Sequence, residues 1–228
     1  LEKFNYGFIS QVWVIDSKGN KYSGVLSNES KDDNLLKVYI ENKGQFEIGN
    51  FVCYKSNFSI SEDIISSAYL DNSMGVAVAL DLISQVKNGT FIFSALEEMG
   101  SQGVGYAVVK YKPSNIVVLD TTYDIENGKG AKLHLGNGPS ICIKDKHFSD
   151  PGLVNSLKKI VTSKKIPYQM EIWDQAGSDL IGINSSMVFT KSCFVGLPIK
   201  NPGTHLEIGS LKDMVNMEKM LKTLFEKI

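Results

Sequence analysis

The hydrophobic pattern changes near residue 63, and this change constrains the fold more than any other feature of the chain. Before it, short β-branched and aromatic runs alternate with turn residues. After it, apolar positions recur at helical spacing between short apolar runs. Closely spaced strands predict a small barrel or sandwich, whereas alternating strands and helices predict an α/β layered sheet. We therefore expect a small all-β domain over residues 1–63 and an α/β domain over residues 64–228.

In the first part, the pattern predicts a hairpin of strands 11–15 and 21–26, joined by the turn residues 16–20, and further strands over 35–40 and 50–54. In the second part it predicts helices with N-caps at Asp150 and Ser210. The predicted helices are 71–86, 102–110, 151–163 and 211–225, and the strands are 90–96, 115–119, 140–143, 168–173 and 194–199. One face of the first helix carries Val76, Ala79, Leu80, Ile83 and Val86.

Composition indicates an ordinary globular protein with no nucleic acid or membrane partner. All 24 basic residues are Lys, against 25 acidic residues, and they form no basic stripe. The longest apolar stretches, such as 74–80, are far shorter than a membrane span. The three cysteines are scattered and odd in number, which favours a reducing cytoplasm over a disulfide framework.

The candidate chemistry lies at acidic residues that end the predicted strands or begin the predicted helices. Glu97 and Glu98 follow one apolar run, Asp120 follows another, and Asp71 begins a helix. Carboxyl ends of strands meet at the ligand-binding edge of an α/β sheet, where close carboxylates can hold a cation while one of them keeps a raised pKa. With His205, these donors suit zinc, manganese or cobalt and predict hydrolysis by a metal-activated water.

Each of these candidate residues can also have a purely structural role. Asp71 can be only a helix N-cap, and Glu97 and Glu98 can be a solvated strand end. Asp120 can cap a turn, and His205 alone is unremarkable.

Seven short motifs occur in the order found in one family, and together they span nearly the whole chain. The order resembles that of the dinuclear metallo-aminopeptidases that form tetrahedral particles, the glutamyl and deblocking aminopeptidases. The motifs are Leu70-Asp71-Asn72-Ser73-Met74-Gly75, the run 96–103 around Glu97-Glu98, Val118-Leu119-Asp120-Thr121-Thr122, Gly136-Asn137-Gly138-Pro139, Ile166-Pro167-Tyr168-Gln169, Ala176-Gly177-Ser178-Asp179 and Thr204-His205-Leu206-Glu207.

The resemblance implies a zinc-exopeptidase-like layered sheet with helices on both faces, carrying an inserted small β-barrel domain. It implies an aminopeptidase that acts on peptides, holds divalent metal, most commonly zinc, and assembles as a homo-oligomer. By position, Asp71 resembles the metal-bridging carboxylate, Glu98, Asp120 and His205 resemble the other metal ligands, and Glu97 resembles the general base. The Asp71–Asn72 bond corresponds to a cis peptide in the family.

Departures from the family pattern open an alternative function. The family carries a His-x-Asp motif ahead of the barrel, whereas this chain has no His before His134 and is expected to begin inside or just before the barrel. Asn72 and Ser73 also replace a family Asp and Arg. By this resemblance, one metal position has the three ligands Asp71, Glu98 and His205. The second position has only Asp71 and Asp120. The alternatives are a catalytically impaired relative with a structural or binding role, and another zinc hydrolase such as a deacylase.

Overall fold

A computed structural model of the chain describes residues 9–27, 36–41, 44, 46–125, 132–173 and 177–227. The chain divides into two compact units, Leu1–Phe58 and Ser59–Ile228. The strands are β1 Ile9–Ile15, β2 Lys21–Ser27, β3 Lys37–Ile40, β4 Phe51–Tyr54, β5 Ser59–Ser61, β6 Ile64–Ser67, β7 Asn115–Tyr123, β8 Ser140–Lys144, β9 Gln169–Ile172, β10 Lys191–Ile199 and β11 Glu207–Ser210. The helices are α1 Leu70–Gln85, α2 Gln102–Tyr111, α3 Pro151–Lys164, α4 Leu180–Ser185 and α5 Leu211–Phe225.

The first unit contains an antiparallel sheet of four strands in the order β3-β2-β1-β4. Its first two strands form the predicted hairpin, and Asp16 closes the turn by accepting hydrogen bonds from the backbone N–H groups of Lys18 and Asn20, both at 2.9 Å. Val12 and Val14 are buried on one face, as the alternating pattern of β1 requires. Strands β3 and β4 confirm the other two predicted strands, apart from residue 35, which lies outside the described residues.

The second unit is the predicted α/β layered fold. Its main sheet has the order β7-β10-β8-β9, in which β7 is parallel to β10 and β9 is parallel to β8, while β8 is antiparallel to β10. Helices pack on both faces of the central strand β10. Val195 and Leu197 lie in one core with α1, α3 and α5, whereas Phe194 lies in a second core with α2 and α4. A smaller antiparallel sheet, β11-β6-β5, completes the unit.

Local signals explain where two of the helices begin. Asp150 caps α3 by accepting from the backbone N–H of Leu153 at 2.9 Å, and Ser210 caps α5 by accepting from that of Asp213 at 3.2 Å. Each cap satisfies a donor that the first helical turn leaves without an intrahelical partner. Both predicted N-caps are confirmed.

The strand predicted over residues 90–96 does not form in the described structure. Residues 86–96 connect α1 to a turn at 97–100 and belong to no sheet. The apolar run Thr90-Phe91-Ile92-Phe93 has the composition of a strand, but a strand also needs a neighbouring backbone to pair with. Among the described residues, no backbone hydrogen bond joins residues 90–94 to another segment.

Helix α1 buries a different face from the one that its apolar residues outline. Met74, Val78 and Leu82 are buried against the core, whereas Val76 and Leu80 are 40% and 57% exposed. The helix is apolar around most of its circumference, so periodicity alone does not identify the side that packs against the sheet.

The cysteines Cys53, Cys142 and Cys193 are free thiols, and the last two are buried in the second unit. Among the described residues, no helix combines the length and the apolar character needed to span a membrane.

Candidate active site

A cavity of about 980 Å³ runs alongside β7 in the second unit. At the carboxyl end of the strand it is lined by acidic side chains, and toward the amino end it is lined by apolar ones. The acidic group comprises Asp71, Glu97, Glu98, Asp120 and Asp179. The structure thus places four of the five sequence-predicted site residues on one cavity.

Asp71 is held at the start of α1 by contacts from two distant segments. The Asp71–Asn72 peptide bond is cis, and the backbone N–H of Asp71 donates to Glu207 Oε2 at 3.0 Å. Asn72 Nδ2 donates to the carbonyl of Leu119 at 2.8 Å, which ties this turn to the middle of β7. A Cβ at residue 75 would lie 2.4 Å from Asn72 Oδ1, so the turn requires Gly75.

Asp120 lies on β7 and lines the same cavity as Asp71. Burial is the main cause that raises the pKa of Asp120 well above its usual range, and the charge of Asp71 adds to it, while a 2.8 Å hydrogen bond from the Thr121 N–H acts in the opposite direction. The charge of Asp71 disfavours the charged form of Asp120, and a cation beside the two carboxylates would relieve this repulsion. The Asp71–Asp120 pair is therefore an oxygen-donor site that favours positive charge.

Glu97 follows the apolar run and begins the 97–100 turn, whose Gly100 and Ser101 N–H groups both donate to the Glu97 carbonyl at 2.9 Å. Its pKa is raised to about 7, first by burial and then by the charges of Glu98, Asp179 and Asp71, while Lys146 acts in the opposite direction. A carboxyl group with a pKa near neutrality can accept and release a proton at physiological pH. Glu98, its neighbour, lines the same cavity and is more exposed.

His205 lies in the loop that joins β10 to β11, and it is not among the residues that line the cavity. The loop is nevertheless connected to the site through Glu207, which is only 2% exposed. Glu207 Oε1 accepts from the Gly203 N–H at 2.6 Å and its Oε2 accepts from the Asp71 N–H. One buried carboxylate therefore links the turn that carries His205 to the turn that carries Asp71.

Two site residues were not identified from sequence. Glu207 ends the motif that contains His205, and Asp179 ends the glycine-containing motif 176–179, of which Ala176 lies outside the described residues. Asp179 Oδ2 accepts a hydrogen bond from Ser94 Oγ, and its other oxygen is buried with no hydrogen-bond partner. The only sequence signal for either residue is a carboxylate close to a glycine.

The carboxylate donors suit a divalent cation, but the described side chains do not form a complete metal site. Asp71 and Asp120 supply hard oxygen ligands on one cavity, and the charge of Asp71 acts on Asp120. Within the described ranges, however, no group of three histidine, cysteine, aspartate or glutamate side chains is arranged to hold a metal ion. The pair can therefore provide two ligands, and further ligands must approach it.

The comparisons with known proteins agree on one family. The model of the M42 glutamyl aminopeptidase family matches residues 39–220. A protein of Acetivibrio thermocellus named "Putative aminopeptidase" is 27% identical over 208 residues, which are 85% of this chain and 63% of that protein. The chain therefore spans less than two thirds of the length of this curated relative.

Solved structures of low sequence identity share the fold. An aminopeptidase from the archaeon Desulfurococcus kamchatkensis superposes with a TM-score of 0.86 at 19% identity, covering 96% of this chain and 69% of that one. The Pyrococcus horikoshii TET1 peptidase, described as assembling into a tetrahedron or a large octahedral shell, gives a TM-score of 0.78 at 20% identity over 94% of this chain and 71% of that one.

Proposed function

The chain belongs to the M42 glutamyl aminopeptidase family, and from this premise we propose that it removes N-terminal residues from peptides with a metal-activated water. The observation that carries the proposal is that Asp71, Asp120 and the raised-pKa carboxyl of Glu97 line one cavity, where the charges of Asp71 and Glu97 both act on Asp120. A cation-binding carboxylate pair beside a proton acceptor is the arrangement that hydrolysis by activated water needs.

In this proposal Asp71, Asp120, Glu98 and His205 hold divalent metal, most favourably zinc, with cobalt or manganese as substitutes. Asp71 would be the bridging carboxylate by its position in the family motif, and its backbone N–H is held by Glu207 Oε2. Glu98 and His205 are the ligands that must move toward this pair. The bound metal would lower the pKa of a coordinated water and polarise the scissile carbonyl.

Glu97 is proposed as the general base. It takes a proton from the attacking water and delivers it to the leaving amine, which restores its starting state. A pKa of about 7 suits both transfers, since the group is neither fully charged nor fully neutral near neutral pH. The neighbouring carboxylates of Asp179 and Asp71 help to keep the proton on Glu97 until a cation offsets their charge.

A second candidate is a catalytically impaired relative with a structural or binding role. The absence of a three-ligand group among the described side chains favours this alternative. The two candidates differ in one observable: both can retain the fold and bind metal, but only the first turns over substrate.

The proposal also covers the domain organisation, the oligomeric state and the cellular location. The four-stranded sheet of the first unit belongs to a small β-barrel that serves as an accessory domain, with the α/β catalytic domain following it. Assembly as a homo-oligomer is supported by the shells described for the P. horikoshii relative. A cytoplasmic location is supported by the three free thiols.

The test uses the purified chain with zinc, cobalt or manganese and a panel of aminoacyl p-nitroanilides. Metal-dependent release of nitroaniline that falls by about 100-fold or more in Glu97→Gln, with metal still bound, supports the peptidase. The matched control is Glu226→Gln, an exposed acid at the end of α5. Zinc binding without turnover on any substrate favours the binding role, and turnover that is unchanged in Glu97→Gln contradicts the assigned base.

A further inference from the structure

Glu97 and Glu98 lie in the turn of residues 97–100, called here the Glu97 turn, outside the described strands and helices. The turn is bounded by Leu96 and Ser101, whose φ angles of 64° and 56° place both in the left-handed region. Residues other than glycine adopt this region at a cost, and they keep it where surrounding contacts fix the backbone. Contacts on the turn therefore determine where the Glu97 carboxyl group lies.

One such contact comes from Asp179, which directly precedes α4. Its Oδ2 accepts a hydrogen bond from Ser94 Oγ, three residues before Glu97. An aspartate at a helix N-cap normally accepts from a backbone N–H of its own first helical turn. The Asp179 side chain makes no such bond, and Ser178 Oγ accepts from the Leu180 N–H at 3.3 Å instead. The Asp179 carboxylate thus holds a segment 85 positions away.

Two further features show that Asp179 does more than begin a helix. Its Oδ1 is buried and has no hydrogen-bond partner in the described part of the chain. Burying an acceptor in this way is unfavourable and is rare in folded proteins. The negative charge of Asp179 also acts on Glu97, so the two carboxyl groups lie near each other. Neither feature is needed for a residue that only caps α4.

Helix α4 also packs on the other end of the Glu97 turn. A Cβ at residue 182 would lie 2.2 Å from the carbonyl oxygen of Ser101, so this contact requires Gly182. The Ser101 N–H in turn donates to the Glu97 carbonyl at 2.9 Å. The start of α4 and α4 itself therefore hold the turn from both sides, through Ser94 before it and Ser101 after it.

The start of α4 is fixed by a buried carboxylate of another segment. Ser178 Oγ donates to Asp145 Oδ2 at 2.6 Å, and these two residues are 1% and 2% exposed. The other oxygen of Asp145 accepts from the backbone N–H of His147. Asp145 directly follows β8, so the pair connects α4 to the main sheet. Because water is excluded, the hydrogen bond is stronger than it would be at the surface.

We propose that Asp179 is a positioning residue for the reaction and holds the Glu97 turn through Ser94. Asp145 supports Asp179 by fixing Ser178. The inference rests on the proposed role of Glu97 as the base. A base must stay within hydrogen-bonding distance of the attacking water, and a displacement of about 1 Å can lower a rate by about 100-fold. Both aspartates act through the position of the turn and bind neither substrate nor metal.

The first measurement uses the metal-free chain, so that it does not depend on activity. Amide hydrogen exchange is followed by NMR at Ser101 and Gly103, whose N–H groups donate to the carbonyls of Glu97 and Ala95. Ser94→Ala should make both amides exchange about ten-fold faster, because loss of a hydrogen bond favours local opening by about this factor. The amides of β10 should be unchanged. Ser94→Thr keeps the hydroxyl and should restore slow exchange.

Further variants separate the position of the turn from the charge beside it. Asp179→Asn keeps an acceptor for Ser94 Oγ and should leave the exchange rates near those of the wild type. Asp179→Ala should raise them as Ser94→Ala does, and Ser178→Ala should change them in the same direction. The matched control is Ser156→Ala, which removes a hydroxyl that donates to the Gly152 carbonyl within α3 at 2.9 Å. This control should leave the exchange rates unchanged.

The second measurement uses the zinc-loaded chain and an aminoacyl p-nitroanilide. Ser94→Ala should lower kcat by about ten-fold or more while KM stays within about two-fold, because the base is displaced and the substrate contacts remain. Ser94→Thr should restore kcat. A general loss of stability would not be reversed by this conservative change.

Three results would overturn the proposal. Unchanged exchange at Ser101 and Gly103 in folded Ser94→Ala would show that the hydrogen bond does not hold the turn. Equal effects of Ser94→Ala and Ser94→Thr would assign the effect to packing. A raised KM with an unchanged kcat would place Ser94 in substrate binding. If the wild type has no turnover, the proposed peptidase function fails, and the exchange rates alone then decide whether Asp179 holds the turn.

Discussion

The backbone N–H of Asp71 donates a hydrogen bond to Glu207 Oε2 at 3.0 Å, across 136 positions of sequence. The other oxygen of Glu207 accepts from the Gly203 N–H at 2.6 Å, within the loop that carries His205. The carboxylate is buried, so both hydrogen bonds are shielded from water. It holds together the two turns that carry the proposed metal ligands Asp71 and His205.

Replacement of Glu207 by alanine should therefore weaken both stability and metal binding. Two backbone donors lose a buried acceptor, which costs about 1–3 kcal/mol each in the free energy of unfolding. Zinc affinity should fall by about 10–100-fold, as is typical when a residue that positions a ligand is lost. Denaturant unfolding and zinc titration measure the two effects; Glu207→Gln, which keeps one acceptor, should lie between the alanine variant and the wild type.

The carboxyl group of Glu97 should titrate near pH 7 in the metal-free protein, as followed by the infrared band of protonated carboxyl groups. Its folded pKa lies above the unfolded value, so the native state binds more protons between about pH 4.5 and 7. The contribution of this group to stability is therefore present at low pH and is lost as the pH rises through 7. Glu97→Gln should remove this part of the pH dependence.

The Glu97 titration also has an internal control. Asp179→Asn removes one of the negative charges that raise the Glu97 pKa, so the midpoint should move down, and Glu226→Gln should leave it unchanged. A midpoint near 4.5 in the wild-type protein would mean that Glu97 is not held in the cavity as described.

Asp120→Asn should make the metal-free protein more stable above neutral pH, while stabilisation by the one zinc ion held by Asp71, Glu98 and His205 should persist. Asparagine can still accept from the Thr121 N–H and can donate to Asp71, but it has no charge to bury. Thermal unfolding with and without zinc measures both effects. If the two proteins are equally stable in the absence of zinc, the repulsion between Asp71 and Asp120 is already relieved in the wild type.

Protein loaded with excess zinc should hold one ion per chain, bound by Asp71, Glu98 and His205. The second position has only Asp71 and Asp120 among the proposed ligands, and two carboxylates without an imidazole bind zinc more weakly. Elemental analysis after dialysis gives the count. His205→Ala should release the ion, whereas His147→Ala, in a loop with no proposed role, should not. Two tightly held ions would indicate a ligand that has not been assigned.

Gly103→Ala should disturb the segment that carries Glu97. A Cβ at this position would lie 2.3 Å from the carbonyl oxygen of Ala95, so α2 and residues 95–97 must separate. We expect a loss of about 1–3 kcal/mol in the free energy of unfolding, as for other overpacked sites. Gly105→Ala, two residues along the same helix, meets its nearest atom at 3.4 Å and should be neutral or stabilising by up to about 1 kcal/mol.

The sequence by itself determined the features that depend on neighbouring residues. The hairpin turn at Asp16, the caps at Asp150 and Ser210 and the apolar periodicity of the helices all act within a few residues, so they can be identified without the fold. The sequence also predicted that Asp71, Glu97 and Asp120 lie together, and they line one cavity, although β7 continues past Asp120 to Tyr123 and the described residues 90–96 form no strand.

The tertiary structure alone decided the features that depend on distant partners. Residues 90–96 have the composition of a strand and yet form none, because a strand exists only when a second backbone pairs with it. Distant contacts also decide which side of α1 is buried and that Glu207 accepts from the Asp71 N–H. They likewise bring the charge of Asp179 close enough to act on Glu97. Each depends on contacts between segments far apart in the chain, and the free energy of such contacts is a property of their packing, which local sequence patterns do not contain.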